Sequence, residues 1–286
     1  MELKAEYYRN LVRVALKEDL GKTGDVSSLA VFGKKESGVF KLLAKQSGIL
    51  CGAEVFSEVF RQLDRKLRVE FLFKDGSSLA SGTIVARVTG SILSILQGER
   101  TALNFISHLS GIATRSGELA EIARKNGGKN PVRILDTRKT LPGYRMLQKY
   151  AVRTGGAENH RIGLYDMVML KDNHIDAAGG ISNAVRKVRE RWGACYKIEV
   201  EARTLGDVEV ALGLGVDRIM LDNMDNATIT AALRITGGKV ETEASGNMTE
   251  GRLADLAESG LTYISFGELT HSVKVFDFSL KHEKTE

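Results

Sequence analysis

In the second half of this chain, six apolar runs each end in residues able to do chemistry. Run 132–135 leads into Asp136, Thr137, Arg138 and Lys139. Run 167–170 leads into Lys171, Asp172, Asn173 and His174. Run 196–200 supplies Glu199 and, just beyond it, Glu201, and run 218–221 leads into Asp222 and Asn223. Run 240–244 supplies Glu243, then Ser245, Gly246 and Asn247. Run 263–266 supplies Ser265 and Phe266, then Gly267. One polar run end means little, because loops are polar. Six in series, two basic and three bearing carboxylates, predict an active site at one end of a parallel sheet.

The basic members are Arg138, Lys139, Arg161 and Lys171, with His160 and His174. Guanidinium groups grip carboxylate and phosphate bidentately, and lysine adds a compact positive charge. Such a cluster repels itself unless an anion fills it, so the expected substrates are small and strongly anionic. The alternative is a solvated basic face, the favoured reading for Arg145, Lys149 and Arg153, spaced by four on the following helix. Glu201 and Asp222 stand at equivalent positions on different strands. Together they suit a divalent metal held through one or two carboxylates plus substrate oxygens, as magnesium is; pairing with nearby lysines and arginines is the alternative. The small residues Ser245-Gly246-Asn247 and Ser265-Phe266-Gly267 fall where late barrel loops bind phosphate. The chain has no P-loop, no G-x-G-x-x-G after a strand and no G-x-S-x-G elbow. Its chemistry is expected to rest on electrostatics and a metal, without a covalent nucleophile.

These residues need a scaffold of repeated βα units. Helical periods at 144–154, 181–191, 205–214, 226–235 and 251–258 alternate with the six runs, which predicts a parallel, nearly closed sheet. A full eight-stranded barrel needs ~250 residues and does not fit. The expected fold is α/β: an incomplete parallel α/β barrel with a smaller N-terminal α+β sandwich domain. The first hundred residues predict an amphipathic helix around Tyr7–Leu16 positions 7–16, strands at 39–44, 69–73 and 84–88, a helix at 54–63 and an antiparallel sheet. A long helix over 99–125 carries Gly111 inside it, at about 1 kcal/mol relative to Ala. The apolar residues Val275, Phe276 and Phe278 are expected to return to the small domain, and the tail 282–286 to fray. The expected division is 1–110 plus 273–286 for the small domain and 111–272 for the barrel.

Composition agrees with a globular enzyme. Of 286 residues, 43% are hydrophobic and 27% charged, so wholesale disorder is excluded. The net charge of +5 permits anionic partners without naming them. Aromatics are only 6%, and the basic residues fall at run ends, which argues against a nucleic-acid-binding surface. Cys51 and Cys195 form no C-x-x-C pair, and no run approaches the ~18 apolar residues of a membrane span. The N-terminal stretch lacks a signal peptide's apolar core. A cytoplasmic protein is expected.

Several long segments resemble the quinolinate phosphoribosyltransferase family. They are ERTALNFISHLSGIAT (99–114), DTRKTLPGYR (136–145), KYAVRTGGAENHRIGLYDMVMLKDNHI (149–175), IEVE (198–201), MLDN (220–223), EASGN (243–247) and ISFGELTHS (264–272). The resemblance implies transfer of the phosphoribosyl group of phosphoribosyl pyrophosphate to quinolinate. Nicotinate mononucleotide, pyrophosphate and carbon dioxide would result, with magnesium, no organic cofactor and a place in de novo NAD biosynthesis. By resemblance, Arg138, His160, Arg161 and Lys171 hold the quinolinate carboxylates, and Lys139 and Lys171 face the phosphoribosyl donor. Glu201 and Asp222 serve the metal and the ribose hydroxyls. Ser245, Gly246, Asn247, Gly267 and His271 line the phosphate end, beside Ser265 and Phe266, with Thr137 next to the basic pair. Lys139, Lys171, Glu201 and Asp222 are the implied catalytic residues. The resemblance also implies a homodimer in which Arg100 enters the neighbouring site; from the residue alone, Arg100 reads as a solvated helix-start arginine. The rival reading is a same-fold enzyme with another acceptor, such as the molybdenum-associated relatives.

Overall fold

Alternating apolar residues early in the chain build an antiparallel sheet. In the computed structural model, which describes residues 3–33 and 35–283, the first strands are β1 (Ser37–Ala44), β2 (Gly48–Ile49), β3 (Arg68–Phe71), β4 (Ser78–Leu79) and β5 (Ile84–Ser91). β1 pairs antiparallel with β5, β5 with β3, and β2 with β4. The last strand, β12 (Phe278–His282), joins the outer edge of β1 antiparallel, giving the order β12-β1-β5-β3. The chain's end therefore returns to the first sheet, as its apolar residues predicted. His282 does not fray, because it pairs with Phe40; the rest of that expectation, residues 284–286, lies outside the described residues.

The chain divides into two compact units. The first comprises residues 1–117, 141–156 and 272–286. Its core includes Phe40, Leu42, Phe56, Phe60, Val88, Ile106 and Phe276, all nearly fully buried. The long helix runs from Ile92 to Asn126, starting a full two turns before the expected residue 99. Its early part is held by packing: Gly98 lies so close to Phe60 and Leu63 that a Cβ would stand 2.7 Å from Leu63. Gly111 has a comparable reason. The backbone of Lys274 and Val275 crosses the helix there, and a Cβ would collide with the Lys274 carbonyl. The helix Arg145–Thr154 also belongs to this unit. Lys149 on it is fully buried, which corrects the expected solvated face at that position, while Arg153 is exposed as expected. The helical period places Lys149 beside Leu147, Gln148, Ala151 and Val152, all buried as well.

The second unit, residues 118–140 and 157–271, carries the six predicted strands. They are β6 (Arg133–Leu135), β7 (Val168–Leu170), β8 (Ile198–Ala202), β9 (Arg218–Asp222), β10 (Glu241–Ser245) and β11 (Tyr263–Ser265). Every pairing is parallel, in the order β6-β11-β10-β9-β8-β7. β6 and β7 end the series without pairing. A single parallel bridge between Leu135 and Glu158 lines the β6 edge, so the barrel is incomplete, as expected. Outward residues such as Val200, Ile219, Leu221, Ala244 and Ile264 are wholly buried, as parallel strands require. Inward residues are different in kind, because the period of two selects Glu199 and Glu201, Arg218, Met220 and Asp222, and Glu241, Glu243 and Ser245. No described helix is long and apolar enough to cross a membrane.

Candidate active site

The carboxyl ends of β6–β11 open into one cavity of about 710 Å³. The chain after β6 sends Thr137, Arg138 and Lys139 to it, and the segment after Ala157 sends His160 and Arg161. From β7 come Met169 and Lys171, and from β8 Glu201. β9 contributes Met220 and Asp222, followed by Asn223. β10 contributes Glu243 and Ser245, followed by Gly246, Asn247 and Met248. Ser265, Phe266, Gly267, Glu268 and His271 complete the wall. Of the site residues expected in the barrel, all but His174 of the basic cluster line this cavity. Arg100 lies in the other unit, where it lines a separate cavity with His108, Tyr144 and Phe276.

One side of the cavity is basic and the other acidic. Lys171 Nζ stands 3.5 Å from Glu201 Oε2. Arg161 is half-buried; burial, and then the like charge of Arg138, pull its pKa below the ordinary arginine range. Glu199 and Asp166 offset that repulsion only in part, and two converging cations favour an anionic ligand. Lys139 is fixed through its backbone: its N–H donates to Thr137 Oγ1 at 3.1 Å, and its carbonyl accepts from Thr270 Oγ1 at 2.8 Å. Its stem rests on Gly267, where a Cβ would come within 3.1 Å of both Lys139 Cδ and the His271 ring.

The opposite wall is a tight turn. Asn223 and Asn247 adopt φ of 54° and 50°, and Gly246 between the strand ends has φ 90°. A Cβ on Gly246 would collide with the Asn223 side chain, so only glycine fits. Arg252 ties this turn down by donating to the carbonyls of Gly246 and Asn247 at 3.3 and 3.2 Å and of Met224 at 2.6 Å.

Beneath the cavity lies a buried ionic cluster. His160 Nε2 is 3.1 Å from Glu199 Oε2 and 3.3 Å from Glu243 Oε2, and both carboxylates are fully buried. Arg218 Nη1 reaches Glu243 at 3.2 Å, and Arg218 also pairs with Glu241 at 3.1 Å. Burial opposes a charge on His160, but the adjacent carboxylates of Glu199 and Glu243 outweigh it and lift the imidazole to about 9. Burial and then the charge of Glu243 raise Glu199. These groups share protons, so the value belongs to the cluster rather than to one ring. Nδ1 is the wrong seat for the extra proton, because it already accepts the Arg161 backbone N–H at 2.7 Å. The shared protons lie on the Nε2–carboxylate side.

Known proteins agree with this arrangement. The C-terminal domain model of quinolinate phosphoribosyl transferase matches residues 112–281, and the N-terminal domain model matches residues 25–110. The chain belongs to the quinolinate phosphoribosyltransferase family. It is 43% identical to a probable nicotinate-nucleotide pyrophosphorylase [carboxylating] of Bacillus subtilis, over 92% of this chain and 89% of that one. It is 42% identical to the chloroplastic nicotinate-nucleotide pyrophosphorylase [carboxylating] of Oryza sativa, over 95% of this chain and 76% of that one. The crystal structure of NadC from Streptococcus pyogenes superposes with a TM-score of 0.92 at 38% identity, covering 99% of this chain and all of that one.

Within this quinolinate phosphoribosyltransferase-family barrel, sequence reading missed some of the wall and two short helices, Asp172–Ala178 and Glu268–His271. Met169, Met220, Asn223, Met248 and Glu268 line the cavity, yet nothing in their types sets them apart from core or loop residues. His174 is not among the lining residues. Residues 172–178 form a helix, Asp172–Ala178, and His174 Nδ1 accepts the Lys171 backbone N–H at 3.1 Å. The apparent loop cation is thus a helix-start partner that holds Lys171. Glu201 and Asp222 fit a magnesium ion chemically. Both are hard oxygen donors lining the cavity, and Lys171 pairs with Glu201.

Proposed function

We propose that this protein transfers the phosphoribosyl group of phosphoribosyl pyrophosphate to quinolinate, with decarboxylation, giving nicotinate mononucleotide, pyrophosphate and carbon dioxide. The observation that carries the reading is a single cavity with converging cations, Arg138, Arg161, Lys139 and Lys171, facing Glu201 and Asp222. Two polyanions must meet there, and the clustered cations offset their repulsion. Arg138, Arg161 and Lys171 receive the two carboxylates of the pyridine. Lys139, with His271, Ser265, Phe266 and Gly267, faces the phosphates, as does the turn Ser245-Gly246-Asn247. The pyridine nitrogen bonds to the anomeric carbon of the ribose as the bond to pyrophosphate breaks. Positive charge grows on the ribose in that step, and Glu201 and Asp222 stabilise it electrostatically. Alkylation makes the ring nitrogen an electron sink. The adjacent carboxylate then leaves as carbon dioxide, and a proton takes its place on the ring carbon. The site's remaining task is to orient the ring and exclude water.

Magnesium, held by Glu201 and Asp222, would neutralise charge on the phosphate oxygens. No organic cofactor is needed. The working form is a homodimer in the cytoplasm, with Arg100 reaching the neighbouring subunit's site. Purified protein given quinolinate, phosphoribosyl pyrophosphate and magnesium is expected to form nicotinate mononucleotide with one carbon dioxide per turnover. Turnover with another base and none with quinolinate would overturn the choice of acceptor.

A further inference from the structure

The buried cluster under the cavity has no part in the reaction scheme above, yet it touches the segment that carries one of the cavity's arginines. Asp136, itself wholly buried, accepts from Asn159 Nδ2 at 2.7 Å and from the His160 backbone N–H at 2.8 Å. His160 turns both ring nitrogens to protein atoms: Nε2 to Glu199 and Glu243, Nδ1 to the Arg161 N–H. The Arg161 side chain is braced in turn by Nη1 donating to the Met167 carbonyl at 3.1 Å. A chain of contacts therefore runs from two buried carboxylates through one imidazole to the backbone of Arg161.

We propose that Glu199 and Glu243 are positioning residues that act through His160 to aim Arg161 into the acceptor pocket. Arg161 needs such a hold. Arg138 repels it, and Glu199 and Asp166 offset that repulsion only in part. A guanidinium grips a carboxylate well only when its fork is already oriented. Fixed acids behind the pocket supply the orientation, and the negative charge of Glu199 also attracts Arg161 from below. Glu199, Glu243 and His160 are also the one group of three potential metal ligands among the described residues. Arg218 argues against an ion there, since its guanidinium already sits 3.2 Å from Glu243 and supplies the cation.

The proposal rests on the acceptor reading above, so its test separates the two. Binding of pyridine-2,3-dicarboxylate is measured by calorimetry for the full-length protein, for Glu243→Gln, for Arg161→Ala and for the double variant. Glu243→Gln is expected to weaken binding by at least about tenfold, on the scale of one charge-assisted hydrogen bond. In the Arg161→Ala background the same change is expected to have no further effect, because its target is gone. Additive losses would overturn the proposal, as would full affinity in Glu243→Gln. A parent protein that binds no dicarboxylate would instead overturn the acceptor reading. If Glu243→Gln does not fold, Glu199→Gln enters the same cycle. Histidine ¹⁵N spectra give a second readout, with a bare Nδ1 and a protonated Nε2 expected for His160. A protonated Nδ1, or a stoichiometric metal lost in Glu243→Gln, would also overturn it.

Discussion

At the scale of the residue, this site sorts its charges by depth. Arg138, Lys139, Arg161 and Lys171 line the cavity exposed or half-buried, while the carboxylates at its floor, Glu199 and the lining Glu243, are wholly buried. Removing one partner from such a cluster leaves an uncompensated charge, which is costly by several kcal/mol. The His160 cluster makes a pH prediction. Its folded pKa of about 9 lies above the ordinary histidine value of 6.5. A group raised on folding stabilises the protein fully below its unfolded pKa and loses that contribution as pH rises through its folded one. Urea midpoints are therefore expected to fall between about pH 6.5 and 9. In His160→Gln the fall across that window should flatten; an unchanged slope would assign the proton elsewhere. The two inward carboxylates were visible in the sequence only as members of a run. Glu199 lies two residues before Glu201 and Glu243 two before Ser245, so each shares a strand face with a site residue. That the lower pair meets His160 depends on neighbouring strands in three dimensions.

At the scale of the element, period and punctuation were informative and packing was not. All six barrel strands fall within a few residues of the predicted runs, because their outward Val, Ile and Leu residues alternate with chemistry on the inside. The long helix was misjudged at its start, since residues 92–98 become helical against Phe60 and Leu63, far away in sequence. Helix Asp172–Ala178 escaped notice because its first turn is also the polar end of a strand. Gly111 shows how tertiary structure reverses a propensity argument. Alone, Gly111→Ala would favour the helix by about 1 kcal/mol. Here the new methyl meets the Lys274 carbonyl, and overpacking of this kind costs about 1–3 kcal/mol. Gly111→Ala is expected to lower the thermal midpoint, measured by calorimetry. A raised midpoint would show that the crossing segment yields.

At the scale of the whole molecule, the proposed homodimer, with Arg100 reaching the neighbouring site, predicts complementation. Arg100→Ala and Lys171→Ala are each expected to be inactive as homodimers. Mixed under conditions that exchange subunits, they should regain activity, because one of the two sites in a mixed dimer then carries neither change. About a quarter of parental activity is the expected ceiling when half the dimers are mixed and each has one intact site. Proven exchange with no recovery would place Arg100 in its own subunit's chemistry or outside it.

By itself, the sequence determined the order of the six barrel strands, the incomplete barrel, and which residues stand at the strand ends. These are local properties: a period of two or 3.6, a glycine, a polar residue where an apolar run stops. Tertiary structure alone decided that Lys149 is buried, that His174 serves a helix start, and that Glu199 and Glu243 converge on His160. Each of those outcomes depends on which strand or helix lies alongside. Neighbourhood across a parallel sheet is set by crossover packing, between residues tens of positions apart, and leaves no mark on the pattern within a single run.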